Sequence, residues 1–166
     1  MAQTQSVPVM TSEALLDHWQ GHRRLTRKMI EAFPEDKLFT YSIGGMRPFA
    51  HLVFEFLDMT IPGLNGVVTG IWPGAEASFQ RDRSNYPQTR ADLLAAWDET
   101  TDEINKLWNK IPVERFLQVD KAFGQWEMPI YTTILYWIDN EIHHRGQAYV
   151  YLRSLGIEPP AFWDRS

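Results

Sequence analysis

Leu15, Trp19, His22, Thr26, Met29 and Phe33 follow one another at alternating steps of four and three, the rhythm of one inward helical seam. The pattern predicts a helix from about Ser12, a suitable N-cap, to Phe33, where Pro34 ends it. A second helix is expected from Arg47, with Pro48 suited to the first turn and Leu52, Phe56 and Met59 as its apolar stripe. The segment "IPGLNG" (Ile61 to Gly66) is expected to kink or interrupt it, and "WPGAEASFQRDRSNYPQT" (Trp72 to Thr89) forms a long polar loop. A third helix spans about Arg90 to Lys110, on a face made by Leu93, Leu94, Trp97, Thr101, Ile104, Leu107 and Trp108. "VERFLQVDKAFGQWEMP" (Val113 to Pro129) follows as a turn and a short extended pair, anchored by Phe116, Phe123 and Trp126. The last helix runs from about Ile130 to Leu155, with Gly156 just past its end and Pro159 and Pro160 forbidding continuation. Long helices without a strong β pattern imply an all-α, up-and-down four-helix bundle; the long connections also allow a less regular topology.

On that last helix the polar and apolar positions draw two stripes. Ile134, Ile138, Ile142, Tyr149 and Leu152 form an ordinary core face. Thr133, Trp137, Asn140, His144, Gln147 and Tyr151 keep the same four–three rhythm, yet the middle of this stripe is polar. If buried, Asn140, His144 and Gln147 need partners, because an unpaired buried polar group costs about 1–3 kcal/mol. His143 is turned about 100° from His144 and is expected at the surface. Arg145 is placed to pair with an acidic residue such as Glu141, one turn earlier, or with a chain end, and Gly146 to let a neighbouring helix come close.

Composition narrows the picture. A chain of 166 residues, 44% of them apolar, suits one folded domain over 1–166, with residues 1–10 as a loose arm. The net charge of −5 disfavours nucleic acid as a partner. There is no cysteine, which excludes disulfides, thiolate ligands and a cysteine nucleophile, and fits a cytoplasmic protein. The longest apolar stretch, "PIYTTILYWI", is too short to span a membrane, and no signal peptide is expected at the N-terminus. Neither a nucleophile elbow nor a phosphate-binding glycine loop is present.

Candidate chemistry lies where the second and last helices face each other. His51 and Glu55 stand one turn apart, followed by Asp58 at i+7. With His144 they make a credible nitrogen and oxygen set for Zn²⁺, Ni²⁺ or a similar ion. A metal-free hydrogen-bonded network satisfies the same groups. Trp19, His22, Phe54, Trp137, Gln147 and Tyr151 are the expected pocket, and Glu55 or Asp58 the general base where it is not a ligand. His18 is expected at the edge.

Several stretches carry a family likeness. "HHRGQAYVYLRSLGIEPP" resembles the end of the last helix in the DinB, or YfiT-like, superfamily, and "WQGHRRL", "FPEDKL" and "IGGMRPFAHLVFE" are similar in order and spacing. The resemblance runs from about Leu15 to Pro160. It implies a four-helix bundle of unusual connection order, often a homodimer. It also implies a divalent metal, usually nickel or zinc, on three side chains, which here map to His51, Asn140 and His144. Most relatives carry histidine where this chain has Asn140, and an amide oxygen is a poor transition-metal ligand. Three completions are open: Glu55, ranked first, His22 from the first helix, or weak binding by Asn140 with water filling the remaining positions. The implied activities are metal-dependent, of the thiol-transferase or hydrolase type, on a small molecule or thiol. The alternative is a non-catalytic, stress-associated ligand-binding or structural dimer with a degenerate site.

Overall fold

The computed structural model describes residues 9–74 and 85–166. Most of the expected N-terminal arm and the middle of the Trp72–Thr89 loop lie outside the described residues. Helix α1 is Ser12–Ala32, α2 the short turn Glu35–Leu38, α3 Phe49–Thr69, α4 Arg90–Trp108 and α5 Ile130–Ser154. A 3-10 turn, Val113–Leu117, leads into a hairpin of β1 (Val119–Ala122) and β2 (Trp126–Pro129). The strands are antiparallel, with Val119 opposite Pro129 and Ala122 opposite Trp126.

The seam read for α1 is fully inside: Leu15, Trp19, His22, Thr26, Met29 and Phe33 are all buried. The N-cap is Thr11 rather than Ser12; its side chain accepts from the Ala14 amide at 3.1 Å. Leu52, Phe56 and Met59 of α3 are buried, as are Leu93, Trp97, Ile104, Leu107 and Trp108 of α4. On α5, Ile134, Ile138 and Leu152 are core, whereas Ile142 is exposed and Tyr149 half-buried, because the face α5 offers to α1 opens to solvent there. Phe116 and Phe123 anchor the hairpin region; Trp126 is exposed. Phe123 adopts a left-handed φ of 52°, uncommon for a bulky residue, and its ring packs 5.5 Å from Trp72.

Two expectations are corrected. The helix does not break at Ile61–Gly66; α3 runs through Pro62. These residues form a flat strip that receives two indoles. A Cβ on Gly63 would stand 2.4 Å from the Trp137 ring, and one on Gly66 would stand 2.3 Å from Trp72. Gly146 is not a close-approach point: a Cβ there meets no described heavy atom within 4 Å. Among the described residues α3 alone is long and apolar enough to cross a membrane, with mean hydropathy 1.2, and 56% of that stretch is buried inside the fold.

The bundle is not a simple up-and-down array. Helix α1 packs on α4 and α5, and α3 packs on the same two. Helix α1 therefore sits diagonally from α3, and α4 from α5, whereas α3 and α4, also consecutive, are direct neighbours. Two apolar clusters fill the interior, one around Trp19, Trp108 and Trp137, the other around Phe33, Phe49, Trp97 and Tyr151. Buried polar groups lie among them. Arg23, 1% exposed, donates to Thr101 and to the Trp97 carbonyl and lies 3.8 Å from the Trp97 ring centre. Thr26 donates to Glu141 at 2.5 Å, and Arg145 donates to Thr26 at 2.9 Å and to Glu141 at 3.5 Å. The expected Arg145–Glu141 pair is thus formed inside the protein.

Candidate functional site

Glu55 lies in the second turn of α3, on the side turned to α5. Its two oxygens have different neighbours. One accepts from the Arg47 guanidinium at 2.6 Å. The other accepts from the Asn140 side-chain amide at 3.2 Å and stands 3.5 Å from Nε2 of His144. A carboxylate accepts only, so the amide nitrogen of Asn140, not its oxygen, faces it. On the far side of the imidazole, Nδ1 of His144 lies 2.8 Å from Oε1 of Gln147, so this nitrogen carries a proton and donates. The His144 ring also leans on Phe56, centroids 5.8 Å apart. The polar middle of the α5 stripe is accounted for: Asn140, His144 and Gln147 are half-buried and partnered, between the buried ends Thr133, Trp137 and Tyr151.

With Nδ1 donating to Gln147, Nε2 faces a carboxylate oxygen, and a bare lone pair there would be repelled. A proton resolves the conflict. The hydrogen bond to Glu55 raises the His144 pKa above its ordinary value, and Gln147 adds to this. The contact with His144 holds the Glu55 carboxyl down to about 2, assisted by Arg47 and Asn140 and opposed by partial burial. The group is an arginine–carboxylate–imidazole row tied down by two amides.

Beside it opens a cavity of about 270 Å³ lined by Arg47, His51, Phe54, Glu55, Asp58, Tyr86 and Gln88. Phe54 and Tyr86 form an aromatic wall, centroids 4.5 Å apart. The Tyr86 hydroxyl donates to Asp58, and Tyr151 donates to the Arg47 carbonyl at 2.9 Å, fixing the segment that carries this arginine.

The structure thus unites Glu55, Asn140, His144 and Gln147 and puts His51, Phe54 and Asp58 on the adjoining cavity wall. His51 is exposed and stacks on Phe54 at 5.7 Å. Other expected pocket residues lie elsewhere. Trp19 and Trp137 pack together in one apolar cluster at 6.2 Å, drawn in by their own burial. Tyr151 belongs to the other cluster. His22 faces α5 one residue beyond His144, with Arg145 at 2.7 Å, and so does not complete the set around Glu55. His143 is exposed, as is His18. Arg47 went unnoticed in the sequence: it precedes α3, so helical periodicity does not align it with Glu55.

The donor set answers poorly to a three-ligand metal centre. Among the described residues, no group of three or more His, Asp or Glu side chains converges to hold an ion. Asn140 offers a proton rather than a lone pair, and the Arg47 guanidinium takes the second Glu55 oxygen. The residues present suit an ion-pair row better than a resident transition metal.

Comparisons with known proteins agree with this architecture. The chain is 22% identical to the YjoA protein of Bacillus subtilis over 155 residues, covering 93% of this chain and 97% of that one. The crystal structure of YjoA superposes with a TM-score of 0.71 at 18% identity, over 92% of this chain and 99% of the other. A DinB-like protein from Bacillus cereus gives 0.70 at 17% identity, over 91% and 97%. YfiT from B. subtilis, described as a probable metal-dependent hydrolase with an unusual four-helix bundle topology, gives 0.72 at 12% identity, over 95% of each chain. The diagonal placement of α1 with α3 and of α4 with α5 is the departure of this chain from an up-and-down bundle. The DinB family model matches residues 1–165, and the chain belongs to the DinB family.

Proposed function

We propose that this protein is a small-molecule-binding member of the DinB family in which the Arg47–Glu55–His144 row stands where the family resemblance implies a metal. The observation that carries the proposal is the position of Glu55. One oxygen is held by the Asn140 amide and faces the His144 imidazole, and the other is held by Arg47. A carboxyl held near 2 is a weak proton acceptor at neutral pH, far from the matched pKa that general-base catalysis favours. Glu55 therefore serves as an acceptor for donor groups on a ligand, with the Asp58 carboxylate on the same cavity wall and the ligand's flat face on Phe54 and Tyr86. This is the binding-module reading rather than a turnover reading.

A second reading rests on one feature. An imidazole whose Nδ1 is tied to an amide oxygen, with Nε2 directed at a carboxylate, also resembles a ligating histidine with its supporting partner. On that reading His144 and Glu55 hold a divalent ion such as nickel or zinc, Asn140 turns to give its oxygen, and chemistry on a thiol or hydrolysable substrate becomes possible. One experiment separates the two. Protein purified without a metal-affinity column is analysed for metal and titrated with Ni²⁺ and Zn²⁺, alongside Asn140→His. The first reading expects no stoichiometric metal in the wild type and a gain in the variant, since an imidazole replaces a neutral amide. Stoichiometric metal in the wild type, lost in His144→Ala, would establish the second.

A further inference from the structure

A separate cavity lies on the other side of α5, against α1 and the C-terminal segment. It has a volume of about 380 Å³ and is lined by His18 and His22 from α1, Ile142, Arg145, Gly146 and Tyr149 from α5, and Phe162 and Arg165 from beyond α5. It shares no lining residue with the cavity beside Glu55.

Its charge is one-sided. Among the described residues no carboxylate lines it. Arg145 is balanced from within by Glu141. Arg165 packs its side chain across Gly21, and its guanidinium has no ion-pair partner among the described residues. The His22 ring, 2% exposed, adds a donor. Its Nδ1 receives an N–H from Arg145 at 2.7 Å, which leaves the ring hydrogen on Nε2. That atom is buried without a hydrogen-bond partner among the described residues, a condition folded proteins rarely tolerate. Burial, followed by the charges of Arg145, Arg165 and His18, holds His22 down to about 3. The ring is therefore a neutral donor at every physiological pH. Around this polarised wall stand Ile142, Tyr149 and Phe162, with Ile142 and Phe162 exposed.

We propose that this cavity binds a small organic carboxylate. Its oxyanion is held by the Arg165 guanidinium before the His22 ring, and its apolar body lies against Ile142 and Phe162. Fork-shaped guanidinium recognition suits a carboxylate, and the unmatched donor behind it favours negative charge.

Gly146 supplies the test. It lines the cavity, and a Cβ there meets nothing within 4 Å. In Gly146→Leu the new side chain occupies the space while a helix-favouring residue replaces glycine within α5, so folding is kept and is verified by circular dichroism and the unfolding midpoint. The probes are benzoate and its neutral analogue benzamide, titrated into the full chain and followed by amide NMR shifts. The expected result is saturable benzoate binding with shifts at Arg145, Gly146 and Arg165, at least about tenfold weaker in Gly146→Leu and in Arg165→Gln. Benzamide is expected to bind more weakly than benzoate. Absence of saturable benzoate binding, equal affinity in folded Gly146→Leu, or benzamide binding as tightly as benzoate would each overturn the proposal.

Discussion

Glu55 and His144 change each other's proton affinity in opposite directions, and this makes their contribution dependent on pH. Glu55 is held near 2 against an ordinary 4.5. Its share of stability is complete above 4.5 and drains away as pH falls through 2. His144 is raised above 6.5, so its share is complete below 6.5 and is lost as pH rises through the folded value. The pair is at full strength between 4.5 and 6.5. The difference in unfolding midpoint between wild type and Glu55→Gln is expected to peak in that window and to narrow on either side. In the same variant the His144 titration, followed by NMR, should move down toward that of free imidazole; an unmoved titration would separate the two groups. At this scale the sequence was informative where periodicity places residues. The i, i+4 and four–three spacings picked out Glu55, Asn140, His144 and Gln147 before any coordinates. They could not find Arg47, which arrives from a non-helical segment. They also put Trp19, Trp137 and His22 in the pocket, because a helical wheel gives direction without distance along the axis.

At the level of the elements, α3 shows how glycine and proline can mislead. "IPGLNG" has the composition of a break, yet the helix continues because its glycines receive the Trp137 and Trp72 rings. Local propensity yields to packing when two large rings need a flat surface. Gly63→Ala adds a methyl where the nearest Trp137 carbon stands 2.4 Å away. It is expected to destabilise the protein by about 1–3 kcal/mol in chemical denaturation, although alanine is the better helix former. A stabilised variant would mean that the indole has room to move aside. The hairpin was easier to read: Val113 to Pro129 combines turn residues with short extended runs, and both strands formed. The N-terminal boundary of α1 moved by one residue because Thr11 and Ser12 are both competent caps.

Across the whole molecule, a buried ionic network joins three helices. Arg23 and Thr26 of α1 meet Thr101 of α4 and Glu141 and Arg145 of α5. Burial raises the Glu141 pKa, opposed by Arg23 and Arg145. Replacing one member of such a network leaves a partner charge uncompensated, which costs about 3–5 kcal/mol. Glu141→Gln is expected to lower stability by that order in urea titration, while Glu141→Gln paired with Arg145→Met should recover part of the loss. No recovery would mean that the two do not act together. The sequence showed the Arg145–Glu141 spacing but not its burial, since charged residues are seldom inside, and nothing local marks Arg23.

The diagonal arrangement of α1 with α3 and of α4 with α5 has a kinetic consequence. Of the four packed helix pairs only α3 with α4 joins long helices that follow one another in the chain, so that pair alone can serve as a local helical seed. The other three sides close only when stretches farther apart along the chain find one another, and two of the four sides wait for α5. Folding therefore has a high contact order for an all-helical protein, and its rate should fall below that of bundles built from sequential neighbours. During synthesis the tryptophan-rich interior stays open to the surroundings until the final helix has left the ribosome.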